Sequence, residues 1–232
     1  DSYLEEAATK EQLGRLLGDE APDLLIAASH GMAFDLGDPR QREHQGAILC
    51  QDWPGSPELV RRPHWFAAED LLDGARLDGR VVVLFCCHGM GSPAIDELTA
   101  VIGQKPPQIA DASFVARLPQ RLLARGALAV VGHVDRALTI AGTWDGIEAQ
   151  PQVFLDLGIQ LMRGDPVGWA TERLGQFFGT HAGHMNEKWQ THALSQEVDP
   201  DEFTVQWSAT KNARNFALLG DPAVRIRLPG QD

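Results

Sequence analysis

Residues 81–89 read VVVLFCCHG, an apolar run that ends on two cysteines, a histidine and a glycine. A second run, LLIAASHG over residues 24–31, also ends on a histidine and a glycine. Short apolar runs bounded by turn residues are typical of strands buried in a parallel sheet. Open α/β sheets bind their ligands at the carboxyl ends of such strands. We therefore expect His30 and Cys87 to emerge at strand ends, where an imidazole and a thiol form a natural pair.

The rest of the chain alternates helical and strand patterns, which predicts an α/β fold with a largely parallel sheet. A loop rich in Gly, Pro, Asp and Arg covers about residues 32–62, and loops beside a site often bind substrate. Residues 181–201 are polar and low in periodicity. The patterns predict helices over 3–17, 67–72, 112–124, 153–162 and 167–178, and further strands over 47–50, 127–131 and 224–228.

Composition narrows the class of protein only in part. The chain has 232 residues, of which 44% are hydrophobic, and this is enough for a full core. Its net charge of −12 disfavours nucleic acid or an anionic membrane as a partner, because phosphate binding needs a basic face. A cationic substrate fits that charge better. The sequence contains neither a signal peptide nor a run of about 18 apolar residues.

The three cysteines indicate whether the protein's cellular compartment is reducing or oxidising. Two of them are adjacent, and adjacent cysteines rarely bridge, so the chain has no disulfide framework. We therefore expect a reducing, cytoplasmic environment.

Four segments follow one another along the chain. They are the helix before the strand that ends in His30, the strand that ends in Cys87 with its glycine-rich turn, residues 118–135, and LLGDP at 218–222. In this order they resemble the CHAT and gingipain-type branch of the caspase-like (clan CD) cysteine peptidases. The resemblance covers about residues 7–228. It implies a caspase-like three-layer α/β/α sandwich with a mostly parallel central sheet over the single domain 1–232.

The sequence departs from that family in one respect that concerns the sheet. The family has two strands upstream of the histidine strand, whereas only a helix precedes it here. An uncovered edge of a parallel sheet exposes unpaired N–H and C=O groups beside apolar faces. We therefore expect residues 1–232 to be part of a longer protein, or to associate with an upstream domain or fragment. Residues 47–50 are the element most able to close the edge instead.

The resemblance also implies a chemistry, that of an endopeptidase acting on protein or peptide substrates without a cofactor. Cys87 would attack the scissile carbonyl carbon, and His30 would protonate the leaving nitrogen. The backbone N–H groups of Gly31 and Cys87 would hold the oxyanion. A glycine at position 31 suits this role because a substrate carbonyl can approach bare backbone closely. From the residues alone, His30 is equally well a strand-end histidine bonded to a neighbouring loop.

The doubled cysteine leaves the nucleophile open between two residues. In a regular strand Cys86 and Cys87 point to opposite faces, so at most one faces the site and the other packs as a small hydrophobe. The resemblance favours Cys87. Cys50 closes a separate short strand, and we expect it to be structural.

Other residues near the strand ends are candidates for substrate binding. The resemblance suggests that Asp135 lies in the primary specificity pocket and selects Lys or Arg, although a solvated turn aspartate explains it equally well. Trp144 would wall the same pocket or belong to the core. His88 and His133 would line the cleft or pack in the core.

A pair of histidines raises the question of a metal. His181 and His184 have the spacing that places two imidazoles on one helical face, yet no adjacent glutamate or recognisable third ligand accompanies them. We therefore expect no metal site. Two other functions remain open from the sequence, a catalytically silent peptidase-like binding or scaffold module, and a metal-dependent hydrolase built on the histidines.

Overall fold

The computed structural model describes residues 7–98, 105–137, 152–193 and 199–227. The strands are β1 (Leu24–Ala28), β2 (Ile48–Leu49), β3 (Trp65–Phe66), β4 (Val81–Phe85), β5 (Gly91–Ser92), β6 (Phe114–Val115), β7 (Ala129–His133) and β8 (Phe216–Gly220). The α-helices are α1 (Lys10–Leu16), α2 (Gln41–His44), α3 (Arg117–Ala124), α4 (Gln152–Met162), α5 (Val167–Ala193) and α6 (Pro200–Arg214).

Four strands form the central sheet in the order β1-β4-β7-β8. Strands β1, β4 and β7 run parallel, and β8 pairs antiparallel with β7. Val83 on β4 lies opposite Ile26 on β1 and Val131 on β7, which sets the register. This confirms the predicted α/β class and mostly parallel sheet.

Apolar residues of β4 point alternately into two cores, one on each face of the sheet. Val82 and Leu84 belong to a cluster that includes Leu118 and Leu122 of α3. Val81 and Val83, whose side chains point the other way, belong to a second cluster. That cluster is completed by residues of α4 and α5, among them Leu157, Leu161, Ala170 and Leu174. Helices therefore cover both faces, as the uninterrupted apolar run of β4 requires.

Strand β1 lies at one edge of the sheet, and no strand within the described ranges pairs with its outer side. Ile26 at its centre is 44% exposed. Beyond β1 the chain continues as an antiparallel partner of the β2 segment, through bonds from Met32 N–H to the Ala47 carbonyl (2.8 Å) and from Leu49 N–H to the His30 carbonyl (2.9 Å). The segment predicted as a strand at 47–50 therefore supports the chain after β1, while the edge of β1 itself is left open.

Helix α5 is longer than the sequence pattern predicts. It continues from the expected end near residue 178 to Ala193, so the polar, weakly periodic residues 181–193 are helical. Helix α6, which no pattern indicated, packs along it. The polar side chains His181 and Gln206 occupy buried positions of this helix pair, where Gln206 Nε2 donates to the His181 carbonyl at 3.0 Å. Polar residues at buried positions removed the periodicity on which the prediction depended.

Two shorter helix predictions also need correction. The pattern at 67–72 forms only a single 3₁₀ turn, Ala68–Asp70, in which the Asp70 carboxylate accepts the Ala67 N–H at 2.7 Å. The helix predicted over 112–124 begins at Arg117, because Phe114 and Val115 form β6.

The strand predicted over 224–228 is not a strand in its described part. Residues 224–227 follow a turn after β8, and Val224 accepts the N–H of Val167 at 2.9 Å. Ile226 is buried against the same end of α5, which accounts for the apolar alternation of this segment. Within the described ranges, no helix combines the length and the apolar character needed to cross a bilayer.

Candidate active site

The carboxyl ends of β1 and β4 lie next to each other. Ala28 and Phe85 are the last paired residues of the two strands, and Ser29 N–H donates to the Phe85 carbonyl at 3.2 Å. His30 and Cys87 each follow two residues later along the chain. Parallel pairing in this register therefore brings both candidate catalytic residues to the same edge of the sheet.

Gly31 packs directly against the backbone of Cys87. A Cβ atom added to Gly31 would lie 1.8 Å from the Cys87 carbonyl oxygen and 2.9 Å from the Cys87 nitrogen. Gly31 faces Ile48 as a non-hydrogen-bonded antiparallel pair, so its own N–H points away from β2. Only glycine fits here without displacing backbone.

Cys87 lies in a tight turn that follows β4. Gly89 N–H donates to the Cys86 carbonyl at 3.2 Å, and His88 has φ = 58°, in the left-handed region that favours glycine. Two backbone bonds hold the turn against β7 and the residues after it, from His88 N–H to the Asp135 carbonyl (2.7 Å) and from Met90 N–H to the His133 carbonyl (2.9 Å). A strained residue next to a candidate nucleophile is a feature often found at functional sites.

The three cysteines differ in exposure. Cys86 is buried, with its Sγ 3.8 Å from the Gly46 carbonyl, and burial raises the pKa of its thiol to about 12. Cys50 is also buried, and its pKa is raised to about 11 for the same main reason. Cys87 is partly exposed. Because the thiolate is the reactive form, Cys87 is the cysteine that the structure leaves available for chemistry.

The segment after β7 covers the candidate nucleophile. The Sγ atom of Cys87 lies 3.5 Å from the carbonyl oxygen of Ala137. Asp135 is only 4% exposed, so the interpretation of this residue as a solvated turn aspartate is wrong. Its carboxylate accepts the N–H of Arg136 at 2.7 Å, and Asn215 Nδ2 lies 3.5 Å away. Burial raises the pKa of Asp135, although the bond from Arg136 acts in the opposite direction.

The two other strand-end histidines are both buried. Nε2 of His133 lies 2.8 Å from the Asn212 carbonyl, and burial lowers the pKa of the ring, so His133 has the core role that the sequence left open. His88 is 3% exposed, and burial lowers its pKa to about 4. Its Nδ1 atom has no hydrogen-bond partner among the described residues. A buried, neutral imidazole therefore follows Cys87 directly in this turn.

Asp96 and Arg136 also belong to this region, and the sequence analysis missed them. Asp96 is 6% exposed and forms an ion pair with the Arg136 guanidinium. These residues are 40 positions apart, and neither lies in a motif. The position of Arg136 directly after Asp135 was the only available signal.

Two further residues were considered in the sequence, the pocket candidate Trp144 and the histidine His181. Trp144 lies outside the described residues. His181 is buried between α5 and α6, where its Nδ1 lies 3.1 Å from Gln206 Nε2. In the part of the chain that the structure describes, no three His, Cys, Asp or Glu side chains come together in a way that would hold a metal ion.

No protein-family model matches the chain, and no curated protein matches it either. A function for this chain therefore has to be argued from its own residues and their arrangement.

Proposed function

We propose that this chain is a cysteine endopeptidase domain of the caspase-like, CHAT and gingipain type, acting through His30 and Cys87. The observation that carries the proposal is the contact of Gly31 with the Cys87 backbone, at the ends of neighbouring parallel strands. The strand order β1-β4-β7-β8 and the helices on both faces suit the caspase-like three-layer sandwich.

The proposed reaction has two covalent steps. The Cys87 thiolate attacks the scissile carbonyl carbon and forms a C–S bond, while the Gly31 and Cys87 N–H groups stabilise the oxyanion. The C–N bond then breaks, and protonated His30 gives its proton to the leaving amine. In the second step His30 accepts a proton from water, the resulting hydroxide attacks the thioester, and the Cys87 thiolate leaves.

The substrate is a protein or peptide cleaved after Lys or Arg. A net charge of −12 and the burial of Asp135 close to Cys87 both support a cationic residue at this position. The open edge of β1 supports an upstream segment or fragment as a partner. Three free cysteines suit a reducing compartment such as the cytoplasm.

A catalytically silent peptidase-like module is the second candidate. One observation favours it, the Ala137 carbonyl oxygen 3.5 Å from the Cys87 sulfur, because a thiol held by its own chain is less accessible to a substrate carbonyl. Such a module would bind peptides or partner proteins without turnover.

A peptide-library cleavage profile of the wild type beside three variants tests the proposal. Cys87→Ala should abolish cleavage, and His30→Ala should lower kcat/KM by about 10³-fold or more, because nucleophile and proton donor act as a unit. Cys86→Ala is the matched control and should keep most of the activity. Asp135→Asn should weaken cleavage after Lys and Arg while other substrates are spared.

Two cheap measurements separate the proposed peptidase from its alternatives. Iodoacetamide near pH 7 should remove activity in step with alkylation of Cys87, whereas a chelator should have no effect. No cleavage by the wild type across a broad library, with the protein folded, would favour the silent module. Cleavage that survives Cys87→Ala would refute the His30–Cys87 mechanism.

A further inference from the structure

Arg136 is held between two buried carboxylates beside the candidate nucleophile. Its guanidinium forms an ion pair with Asp96, and its backbone N–H donates to Asp135 Oδ1 at 2.7 Å. Asp96 Oδ1 also accepts the N–H of Leu98 at 3.0 Å, so the carboxylate is fixed by its own loop. A buried carboxylate is stable when it is paired and hydrogen-bonded, and here the chain itself supplies the cation.

The residue that follows Arg136 lies on the thiol. The Ala137 carbonyl oxygen is 3.5 Å from Cys87 Sγ, so one dipeptide places a guanidinium on a buried carboxylate and a peptide carbonyl on the candidate nucleophile. In a substrate cleaved after Arg the scissile carbonyl belongs to the arginine itself, whereas here the carbonyl at the thiol belongs to the following residue. Residues 136–137 therefore fill both locations without being a copy of a scissile bond.

His88 lies beside this ion pair and is incompletely satisfied. Its backbone N–H donates to the carbonyl of Asp135, the residue before Arg136, at 2.7 Å. Its buried Nδ1 atom has no hydrogen-bond partner among the described residues. A buried ring nitrogen without a protein partner leaves a hydrogen-bonding position that a water molecule or a bound polar group can fill.

We propose that residues 136–137 are a built-in occupant of the substrate site, and that Asp96 is a second carboxylate, in addition to Asp135, to which the substrate's basic side chain binds once Arg136 has left it. This inference rests on the proposed function for the identity of the substrate. The Arg136 side chain is 37% exposed, so it can move into solvent, whereas the Asp96 side chain is 8% exposed and stays in place. Exchange of one guanidinium for another keeps the buried charge paired throughout.

Because residues 136–137 belong to the same chain, they compete with substrate at a high effective concentration. Only molecules in which the site is vacant can bind substrate, so the apparent affinity falls as the filled fraction rises. The chain as described is therefore a latent form. Anything that draws residues 136–137 away from Cys87 and Asp96 would activate it.

Binding of n-propylguanidine, which reproduces the end of an arginine side chain, tests the vacated site without any need for turnover. Isothermal titration calorimetry of Arg136→Ala should show saturable binding at least tenfold tighter than in the wild type. Adding Asp96→Asn to that variant should remove the binding. Arg121→Ala, which breaks an exposed ion pair with Asp73, is the matched control and should behave as the wild type. Equal binding in wild type and Arg136→Ala would overturn the proposal.

A second experiment tests the contact between the Ala137 carbonyl and the Cys87 sulfur. It measures how fast iodoacetamide alkylates Cys87, with the modified residue identified by peptide mass spectrometry. Arg136→Ala should raise this rate several-fold, while Arg136→Lys, which keeps the cation and guards against misfolding of the alanine variant, should leave it close to that of the wild type. An unchanged rate in a folded Arg136→Ala protein would refute the occupant. If Arg136→Ala binds the probe and exposes the thiol but cleaves nothing, the proposed peptidase function fails while the occupied site stands.

Discussion

The centre of the sheet and its β1 edge support the two candidate catalytic residues very differently. Val81, Val82, Val83 and Leu84 of β4 are all buried, and the turn that carries Cys87 is bonded to residues of the β7 segment. Among the described strands β1 pairs only with β4, and Ile26 in its middle is 44% exposed. His30 follows β1, where its carbonyl accepts the Leu49 N–H and the neighbouring Gly31 packs on the Cys87 backbone. The thiol therefore rises from the most stable part of the fold, and the imidazole from a less stable part.

The largest difference should come from truncating one side chain in each strand. Leu84→Ala on β4 removes a fully buried side chain and should lower the free energy of unfolding by about 4 kcal/mol. Ile26→Ala on β1 should cost about 1 kcal/mol, because nearly half of that side chain is already in water. Urea denaturation measures both values. Similar losses at the two sites would show that the edge is as well packed as the centre.

The contact between the two strand ends is tested by Gly31→Ala. The added methyl group would lie 1.8 Å from the Cys87 carbonyl oxygen, so backbone has to move, at a cost of about 3 kcal/mol. The same displacement should reduce any activity that depends on His30 and Cys87. Gly74→Ala is the control, because an added Cβ there meets no atom within 4 Å. Equal stability of the two variants would mean that the strand ends are further apart than described.

The buried ring of His88, the residue after Cys87, should make the stability of the fold sensitive to acid. The pKa of His88 is about 4 in the folded chain, below its ordinary value of 6.5, so the unfolded state binds more protons between these pH values. The stability that depends on a neutral His88 is present above pH 6.5 and is lost as the pH falls. The free energy of unfolding should decrease by about 2 kcal/mol between pH 7 and pH 5.

His88→Asn should remove this part of the pH dependence, and asparagine tolerates the positive φ at position 88. Denaturant unfolding at several pH values measures the effect. His192→Asn, a change at an exposed histidine of α5, should leave the pH profile of the wild type intact. A wild-type profile in His88→Asn would place the acid-sensitive group elsewhere.

The smallest expected effect is the difference in stability between alanine variants of the two adjacent cysteines. Cys86→Ala should lower stability by about 1 kcal/mol through a small cavity, with the rate of Cys87 alkylation unchanged. Cys87→Ala should have less effect on thermal stability, because that side chain is partly exposed. A larger loss of stability in Cys87→Ala than in Cys86→Ala would reverse the packing assignment of the pair.

Sequence patterns predicted what depends on local hydrophobicity. The apolar runs at 24–28 and 81–85 correctly indicated parallel strands. Cys86 and Cys87 differ in burial as expected, although both lie in the turn after β4, so the alternation of a regular strand is not the cause. The register of those strands, which brings Gly31 onto Cys87, arises from tertiary pairing and has no local signal.

The elements that were missed depend on polar contacts over long separations. Helix α6 buries Gln206 against His181, so the buried face of the helix pair did not read as apolar. The Asp96–Arg136 pair joins two loops through charges that look like ordinary surface residues in the sequence. Burial of a charged residue becomes visible only when its partner has been located in space.

The opposite surroundings of the two adjacent sulfur atoms have a consequence for oxidation. A sulfenic acid formed on Cys87 is normally rescued when a second thiol condenses with it to give a disulfide. Cys86 directs its sulfur toward the Gly46 carbonyl, while the Cys87 sulfur faces Ala137, so a disulfide between them would require the turn after β4 to rearrange. Cys50 is buried beside β2 and is no better placed. The chain therefore has no resolving thiol of its own, and recovery of Cys87 from peroxide depends on a thiol supplied from solution.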